Sequence, residues 1–143
     1  MDIVKFKRIV DESVLPAKST KGSAGFDVYS IEDITLKPGE TYFFKTGWAM
    51  AIPEGFHAEI HNRSGLSSKY GIMLANCVAI IDSDYRGEVM VPLVNNSSSN
   101  YVIHKKDRIA QILFYKDHDI ELSIEDDLDI TERGRGGFGS SGR

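Results

Sequence analysis

Short apolar segments separated by glycine and proline turn signals run through most of the chain, and this pattern constrains the fold more than any other feature. The candidate strands are residues 3–10, 24–30, 41–44, 47–52, 56–60, 78–81, 88–94, 101–104 and 109–114. Short strands at such regular spacing favour an all-β sandwich or barrel. A helical turn is suggested at Ser64–Tyr70, with Ser64 as its candidate N-cap, whereas residues 124–129 are too acidic and too few for more than a turn.

Length and composition narrow the class of protein. The 143 residues fit one domain with a core that needs no disulfide, and 41% hydrophobic with 27% charged residues excludes wholesale disorder. A net charge of −4 gives no overall attraction to nucleic acid or to an anionic membrane, so we expect neither as a partner. The single cysteine, Cys77, excludes an internal disulfide. Because the N-terminus lacks a signal-peptide pattern, we expect an intracellular, cytoplasmic protein.

The last eleven residues differ in character from the rest of the chain. They read RGRGGFGSSGR, which cannot bury a core and predicts a segment that is mobile on its own. Its glycines allow close backbone approach to a ligand and its arginines suit phosphate, but a disordered tail or an RGG-type nucleic-acid contact fits the same composition. We therefore divide the chain into a domain at 1–132 and a flexible motif at 133–143.

Two internal segments carry residue types that suit nucleotide chemistry. Arg63, Ser64 and Gly65 stand where a helical turn begins, so free backbone N–H groups and a guanidinium could meet phosphate there; an ordinary capped turn is the alternative. Asp82 follows an apolar strand in what we expect to be a tight hairpin with Asp84. Such acids can activate water as a general base, hold a divalent cation or simply form the turn.

Two further side chains near this hairpin could contact a ligand. Tyr85 can pack on a ring of the ligand. Asn76 offers one acceptor and two donors, which match a pyrimidine edge, although a surface asparagine is the alternative.

The order of these motifs is more informative than any one of them. AGFDVYS, RSGLSSK, IDSDYRG, RIAQ and GGFGSSG follow one another along the chain. The sequence closely resembles the homotrimeric dUTPase family (deoxyuridine 5′-triphosphate nucleotidohydrolases) over essentially its whole length. The resemblance implies a β jelly roll, a homotrimer with active sites between subunits, and hydrolysis of dUTP to dUMP and pyrophosphate with Mg²⁺ on the triphosphate. That reaction keeps uracil out of DNA and supplies dUMP for thymidylate synthesis.

The resemblance also implies roles for the residues that would catalyse hydrolysis and bind the nucleoside part of dUTP. Asp82 would be the general base that activates water at the α-phosphate. Tyr85 would lie against the deoxyribose and exclude a 2′-hydroxyl. The uracil edge would be read by Asn76 and by the backbone around Ile80 and Ile81, with a further backbone contact at Met90.

The remaining implied roles concern the phosphates and the tail. Arg63, Ser64 and Gly65 would hold the phosphates from a second subunit. Gln111 would assist at the α-phosphate, and Asp27 would sit near the magnesium through water. In the tail, Phe138 would stack on the uracil. The other tail residues that would close on the phosphates, from the third subunit, are Arg133, Gly139, Ser140 and Ser141.

The chain departs from the family pattern at three positions. Asn62 stands where proline is common, and Ala75 and Ala79 stand where glycines are common, so the added methyl groups narrow the pocket or conflict with positive φ. We expect Cys77 to be a small packed residue. Two rival functions share the fold or the pattern: a dCTP deaminase or bifunctional enzyme, which would carry RSS rather than RSG, and a nucleotide-gated interaction module.

Overall fold

The structure is a computed structural model that describes residues 2–140. The elements in chain order are β1 (Lys5–Arg8), β2 (Phe26–Tyr29), β3 (Ile34–Leu36), β4 (Thr41–Ala51), β5 (Phe56–Asn62), α1 (Ser64–Tyr70), β6 (Ile72–Leu74), β7 (Ala79–Ile81), β8 (Glu88–Asn95), β9 (Tyr101–Ile103) and β10 (Arg108–Lys116).

Two four-stranded antiparallel sheets form the body of the molecule. Sheet I has the order β1-β4-β8-β6, and sheet II has the order β2-β10-β5-β7, while β3 and β9 pair in a small third sheet. Strand residues alternate between a buried and an exposed face, which is how a half-buried strand covers a core. The expected all-β jelly-roll class is confirmed.

Aliphatic side chains from both sheets make one core. Phe44 on β4 is fully buried at 0% exposure, and Ile60, Val91 and Ile112 pack in the same cluster. Burying a side chain of this size contributes about 1.5–3 kcal/mol, so a core of this kind needs no disulfide.

A bulge explains why the sequence pattern divided β4 into two segments. The pairing of β4 with β8 shifts register between Lys45 and Ala49. Gly47 lies in this irregularity at φ 72°, its N–H donates to the Glu88 carboxylate at 2.9 Å, and a Cβ there would overlap the Ser13 hydroxyl. Residues 46–50 are all buried, so the in–out alternation is interrupted here, which a sequence pattern shows as a break between two strands.

The hairpin expected around Asp82 is wrong. β7 pairs with β5 in sheet II, whereas β8 pairs with β4 and β6 in sheet I. Residues 82–87 therefore cross from one sheet to the other, and residues 75–78 cross in the opposite direction between β6 and β7. Turn residues show where a chain reverses, but they do not show which strand becomes the hydrogen-bond partner.

The expected helical turn is present, but its cap differs from the prediction. Arg63, in extended conformation at φ −84° and ψ 124°, occupies the N-cap position without a side-chain cap bond, and Ser64 is the first helical residue. The carbonyl of Arg63 accepts the Ser67 N–H at 3.0 Å. Gly71 ends the helix in the left-handed conformation at φ 67°, as helix C-termini favour.

Residues 117–140 form bends and turns without a strand or helix of their own. Their apolar side chains are exposed, namely Ile120, Leu122, Ile124, Leu128, Ile130 and Phe138. Between residues 2 and 140, no helix is long and apolar enough to cross a membrane.

Candidate active site

A cavity of about 250 Å³ opens where the two sheets separate, between β7 and β8. Five residues predicted for the base end line it together, and so does Asp82. These five are Asn76, Ile80, Ile81, Tyr85 and Met90. Phe43 and Pro92 complete an apolar wall that the sequence did not single out. Such a volume with few polar groups suits a flat heterocycle.

Asp82 stands at the mouth of this cavity, one residue beyond β7. Because Ile81 points into the core, Asp82 points to the outward face of sheet II, where it is exposed. Its carbonyl accepts the Tyr85 N–H at 3.2 Å, which turns the chain toward sheet I. The carboxylate is therefore open to water and to a ligand.

The ring of Tyr85 is held in place by its own loop. Its hydroxyl donates to the Glu88 carbonyl at 3.0 Å, and the ring lies so close to Gly87 that a Cβ there would overlap it. Gly87 is thus a functional position that sequence reasoning treated only as a turn residue. A glycine that follows an aromatic residue in such a loop was the available signal.

A second cavity, of about 310 Å³, lies beside the N-terminal end of α1. Arg63 and Gly65 line it as predicted, whereas Ser64 is not among its described lining residues. Lys69 and Arg108 add two cations that the sequence analysis missed, and Asp107 adds one carboxylate. A Cβ built on Gly65 would meet no heavy atom within 4 Å, so the approach to this backbone is open. Clustered cations beside open backbone suit an anionic ligand such as phosphate.

Asp27 lies at the edge of this cationic region, on β2. Its carboxylate contacts the Arg63 Nε at 3.3 Å and the Arg108 Nη1 at 3.4 Å, and it accepts a hydrogen bond from the Ser19 hydroxyl. The side chain is only 12% exposed. Gln111 is paired with Asp27 across the ladder, so the two side chains share the outward face of sheet II.

Among the residues that the structure describes, none lines both cavities. Asp82 follows β7 at one edge of sheet II, and Gln111 lies two strands away on β10. The register pairs Ala58 with Ile81 and His61 with Gln111. Strand spacings of about 4.8 Å and rises of about 3.3 Å per residue then put Asp82 and Gln111 roughly 15 Å apart. One copy of the chain therefore presents two separate half-sites, the base cavity with Asp82 and the cationic cavity with its neighbours Asp27 and Gln111.

Residues 133–140, the part of the tail that the structure describes, line neither cavity within this copy. Phe138 is fully exposed at φ 51°, and the Arg133 Nε donates to the Gly136 carbonyl at 2.9 Å within a local turn. Gly139, at φ 91°, and Ser140 belong to the next turn. Ser141 lies outside the described residues.

The departures from the family pattern have specific consequences. Neither Ala75 nor Ala79 has positive φ; the residue of the 75–78 turn that does is Cys77, at φ 66°. Cys77 is exposed, so its expected packing is wrong: the turn needs one left-handed residue, which points the side chain to solvent. Asn62 accepts the Leu74 N–H through its side-chain oxygen at 2.6 Å.

Three ionisable side chains of β5 occupy the outward face between the half-sites. Hydrogen bonding to the Asp117 carboxylate raises the pKa of His57 above its ordinary value, although partial burial acts in the opposite direction. Hydrogen bonding to His61 lowers the pKa of Glu59. This face is therefore a charged hydrogen-bonded surface rather than an apolar one.

Within residues 2–140, no group of three or more histidine, cysteine or acidic side chains is placed to hold a metal ion. Asp107 lines the cationic cavity itself, whereas Asp27 lies at its edge, where its oxygens already contact two guanidinium groups. Magnesium carried by a triphosphate needs only one or two protein carboxylates and keeps several of its waters. A single carboxylate acting through water fits that requirement.

An apolar cavity with an exposed carboxylate at its mouth, and a separate cationic cavity, match the two ends of a nucleoside triphosphate.

Comparison with known proteins identifies the family. The dUTPase family model matches residues 11–142. The deoxyuridine 5′-triphosphate nucleotidohydrolase of Nautilia profundicola is 45% identical over 140 residues, covering 98% of this chain and 99% of that protein. The one from Finegoldia magna is 50% identical over 130 residues, covering 90% and 91%.

Solved structures agree with the sequence comparisons. The dUTPase of Staphylococcus bacteriophage 80alpha, in a structure with dUPNHPP, superposes with a TM-score of 0.92 at 27% identity and full coverage of both chains. The chain belongs to the dUTPase family. Its activity is that of a dUTP diphosphatase.

Proposed function

We propose that Asp82 is the general base for dUTP hydrolysis, at sites that copies of the chain build together. The observation that carries this proposal is the separation of the two half-sites within one copy. The products are dUMP and pyrophosphate, so the enzyme lowers dUTP and supplies dUMP. We place this work in the cytoplasm, where a nucleotide pool is found.

The chemistry requires a water molecule in line with the bond that breaks. Asp82 accepts a proton from that water, and the water oxygen forms a bond to the α-phosphorus. The bond between the α-phosphorus and the oxygen that bridges to the β-phosphate breaks, and pyrophosphate leaves. The exposed position of Asp82 beside the base cavity supports this role.

The apolar cavity selects the nucleoside. Asn76 and the backbone around Ile80 and Ile81 pair with the uracil edge, and Met90 provides a further backbone contact. The Tyr85 ring, which lines the same cavity, packs against the deoxyribose and leaves no room for a 2′-hydroxyl. Discrimination then comes from steric fit to a ring that its loop holds in place.

The cationic half-site neutralises the phosphates. Arg63 supplies a forked donor, the Ser64 hydroxyl and the Gly65 backbone lie beside it, and Gln111 contacts the α-phosphate. Asp27 orients Arg63 and meets magnesium through water. When bound on the triphosphate, magnesium neutralises charge on its oxygens.

A homotrimer brings the half-sites together. The reacting phosphorus must lie near both Asp82 and Gln111, and a span of roughly 15 Å within one copy is too long for that. A second copy therefore supplies the phosphate half. The tail of a third copy closes the site, with Phe138 over the uracil and the remaining tail residues on the phosphates, namely Arg133, Gly139, Ser140 and Ser141.

Mixed trimers test the shared site. Asp82→Asn and Arg63→Ala each remove one half-site, so each variant alone should be nearly inactive. When the two are refolded together, random assembly should restore about a quarter of the sites, because each site takes one half from each of two copies. The measurement is pyrophosphate release from dUTP by the mixture.

A second mixture is the matched control. Arg63→Ala and Gln111→Ala both damage the phosphate half, so their mixture contains no intact phosphate half and should restore nothing. If the first mixture also stays inactive while both variants form trimers, the sites are not shared.

A further inference from the structure

Asn62 lies at the end of β5 and contacts elements of both half-sites. We infer that Asn62 is a positioning residue that fixes the uracil-binding turn relative to the phosphate-binding strand, an inference that rests on the proposed function. Its side-chain oxygen accepts the Leu74 N–H at 2.6 Å, and its backbone carbonyl accepts from the Gln111 Nε2 at 3.0 Å. It also directly precedes Arg63.

The Leu74 N–H needs a partner that its own sheet does not provide. Within residues 2–140, β6 is an edge strand of sheet I that pairs with β8 alone, and Leu74 is 1% exposed. A buried N–H without a partner is costly, so the oxygen that Asn62 offers from sheet II satisfies a real requirement. The bond joins the two sheets where the base cavity begins.

This bond fixes the start of the turn that carries Asn76. The next N–H, of Ala75, donates to the Pro92 carbonyl at 2.9 Å. Leu74 is therefore hydrogen-bonded to sheet II, and Ala75 is hydrogen-bonded to β8. Asn76 follows Ala75 directly and lies in the cavity wall. The position of the uracil-reading amide therefore depends on the Asn62 side chain.

The other contact of Asn62 orients Gln111. A glutamine amide nitrogen has two N–H donors, and one of them binds the Asn62 carbonyl. The second stays available for a phosphate oxygen. Because this contact uses the backbone of Asn62, a side-chain substitution disturbs the Leu74 contact and spares the Gln111 contact.

Kinetics of full-length Asn62 variants test the inference. Asn62→Ala should raise KM for dUTP roughly tenfold with kcat within about twofold, since weaker binding of the base affects substrate and transition state alike. Inhibition by pyrophosphate, which probes only the phosphate half, should be unchanged. Asn62→Asp keeps an acceptor for the Leu74 N–H and should retain a KM near that of the parent.

Amide hydrogen exchange at Leu74 gives a readout that needs no catalysis. Exchange should become faster in Asn62→Ala and stay slow in Asn62→Asp. If the parent protein releases no pyrophosphate from dUTP, the proposed function fails; if the Leu74 amide is equally protected in Asn62→Ala, the inference about Asn62 fails.

Two control variants separate positioning from general stability. Ile112→Val removes one buried methyl group on β10 and destabilises the core without touching this bond. Asn100→Ala repeats the chemical change at an exposed turn. Both should leave KM unchanged. An unchanged KM in Asn62→Ala, or an equal rise in Ile112→Val, would overturn the positioning role.

Discussion

The base cavity and the phosphate cavity are built from different kinds of structure. Two connections that cross between the sheets, residues 75–78 and 82–87, form the base cavity with apolar side chains of β4 and β8. The phosphate cavity combines a contiguous stretch from Arg63 to Tyr70 with a second segment, residues 101–109, that carries Asp107 and Arg108. The first depends on how the sheets close, whereas much of the second depends on local sequence.

The two half-sites also differ in how their side chains are held. Tyr85 is fixed by packing on Gly87 and by one hydrogen bond. Arg63 is held by the charge of Asp27 on β2 and by a hydrogen bond that its Nη1 donates to the Arg108 carbonyl at 3.1 Å. Shape therefore provides selection at the base end, while charge provides binding at the phosphate end, and substitutions in the two halves should have different kinetic signatures.

Asp82→Asn should give the largest effect on kcat, because it removes the general base that stands at the mouth of the base cavity. Loss of a general base costs about 10²–10⁴ in kcat, while nucleotide binding and folding should be retained. Asp84→Asn, in the same connection, is the control and should have little effect on kcat. Near-normal turnover by Asp82→Asn would remove Asp82 from the mechanism.

Deleting residues 133–143 should have the next largest effect, since this segment carries an aromatic residue for one half and arginines for the other. We expect a folded trimer that loses about 10² in kcat, because a lid that aligns the substrate can no longer close. Phe138→Trp keeps a stacking ring and should retain most of the rate. If the truncated trimer hydrolyses dUTP at the full-length rate, the tail takes no part in closing the active site.

Tyr85→Ala tests the base half through substrate selectivity, not through the rate of dUTP hydrolysis. Without the ring, the ratio of kcat/KM for UTP to that for dUTP should rise about tenfold. Tyr85→Phe keeps the ring and loses only the bond to Glu88, so its ratio should stay near that of the parent. If the ratio is the same in all three proteins, sugar selection lies elsewhere.

The smallest effect concerns His57, on the face between the half-sites. Its pKa is raised in the folded state by Asp117, so its stabilising contribution is present below the unfolded pKa of about 6.5 and is lost as pH rises through the folded pKa. His57→Gln should therefore lower the free energy of unfolding by about 0.5 kcal/mol at pH 5.5, as expected for a partly exposed pair, and by less at pH 9.

Urea denaturation at the two pH values measures this difference. His118→Gln, at an exposed position after β10, is the matched control. A loss for His57→Gln that is equal at both pH values would show that packing on Tyr115, rather than charge, is what the substitution removes.

Most strands could be predicted from the alternation of apolar residues, but β3 and β6 could not. Length alone is not the reason, since β7 and β9 also have three residues and were predicted; pairing with β9 and β8 is what makes β3 and β6 strands. The cap at Arg63 was misassigned for a related reason. Serine is favoured at N-caps, but the extended backbone at Arg63 decides where the helix begins.

The sequence by itself determined the class of fold, the dUTPase motifs and the residues that those motifs nominate, because these depend on residue type and spacing along the chain. The tertiary structure decided which sheet each strand joins, and therefore that Asp82 lies on a crossing rather than in a hairpin. It also brought Arg108 to Asp27 and Asn62 to Leu74. Those contacts join residues far apart in sequence, and only the closure of two sheets over one core brings them within hydrogen-bond distance.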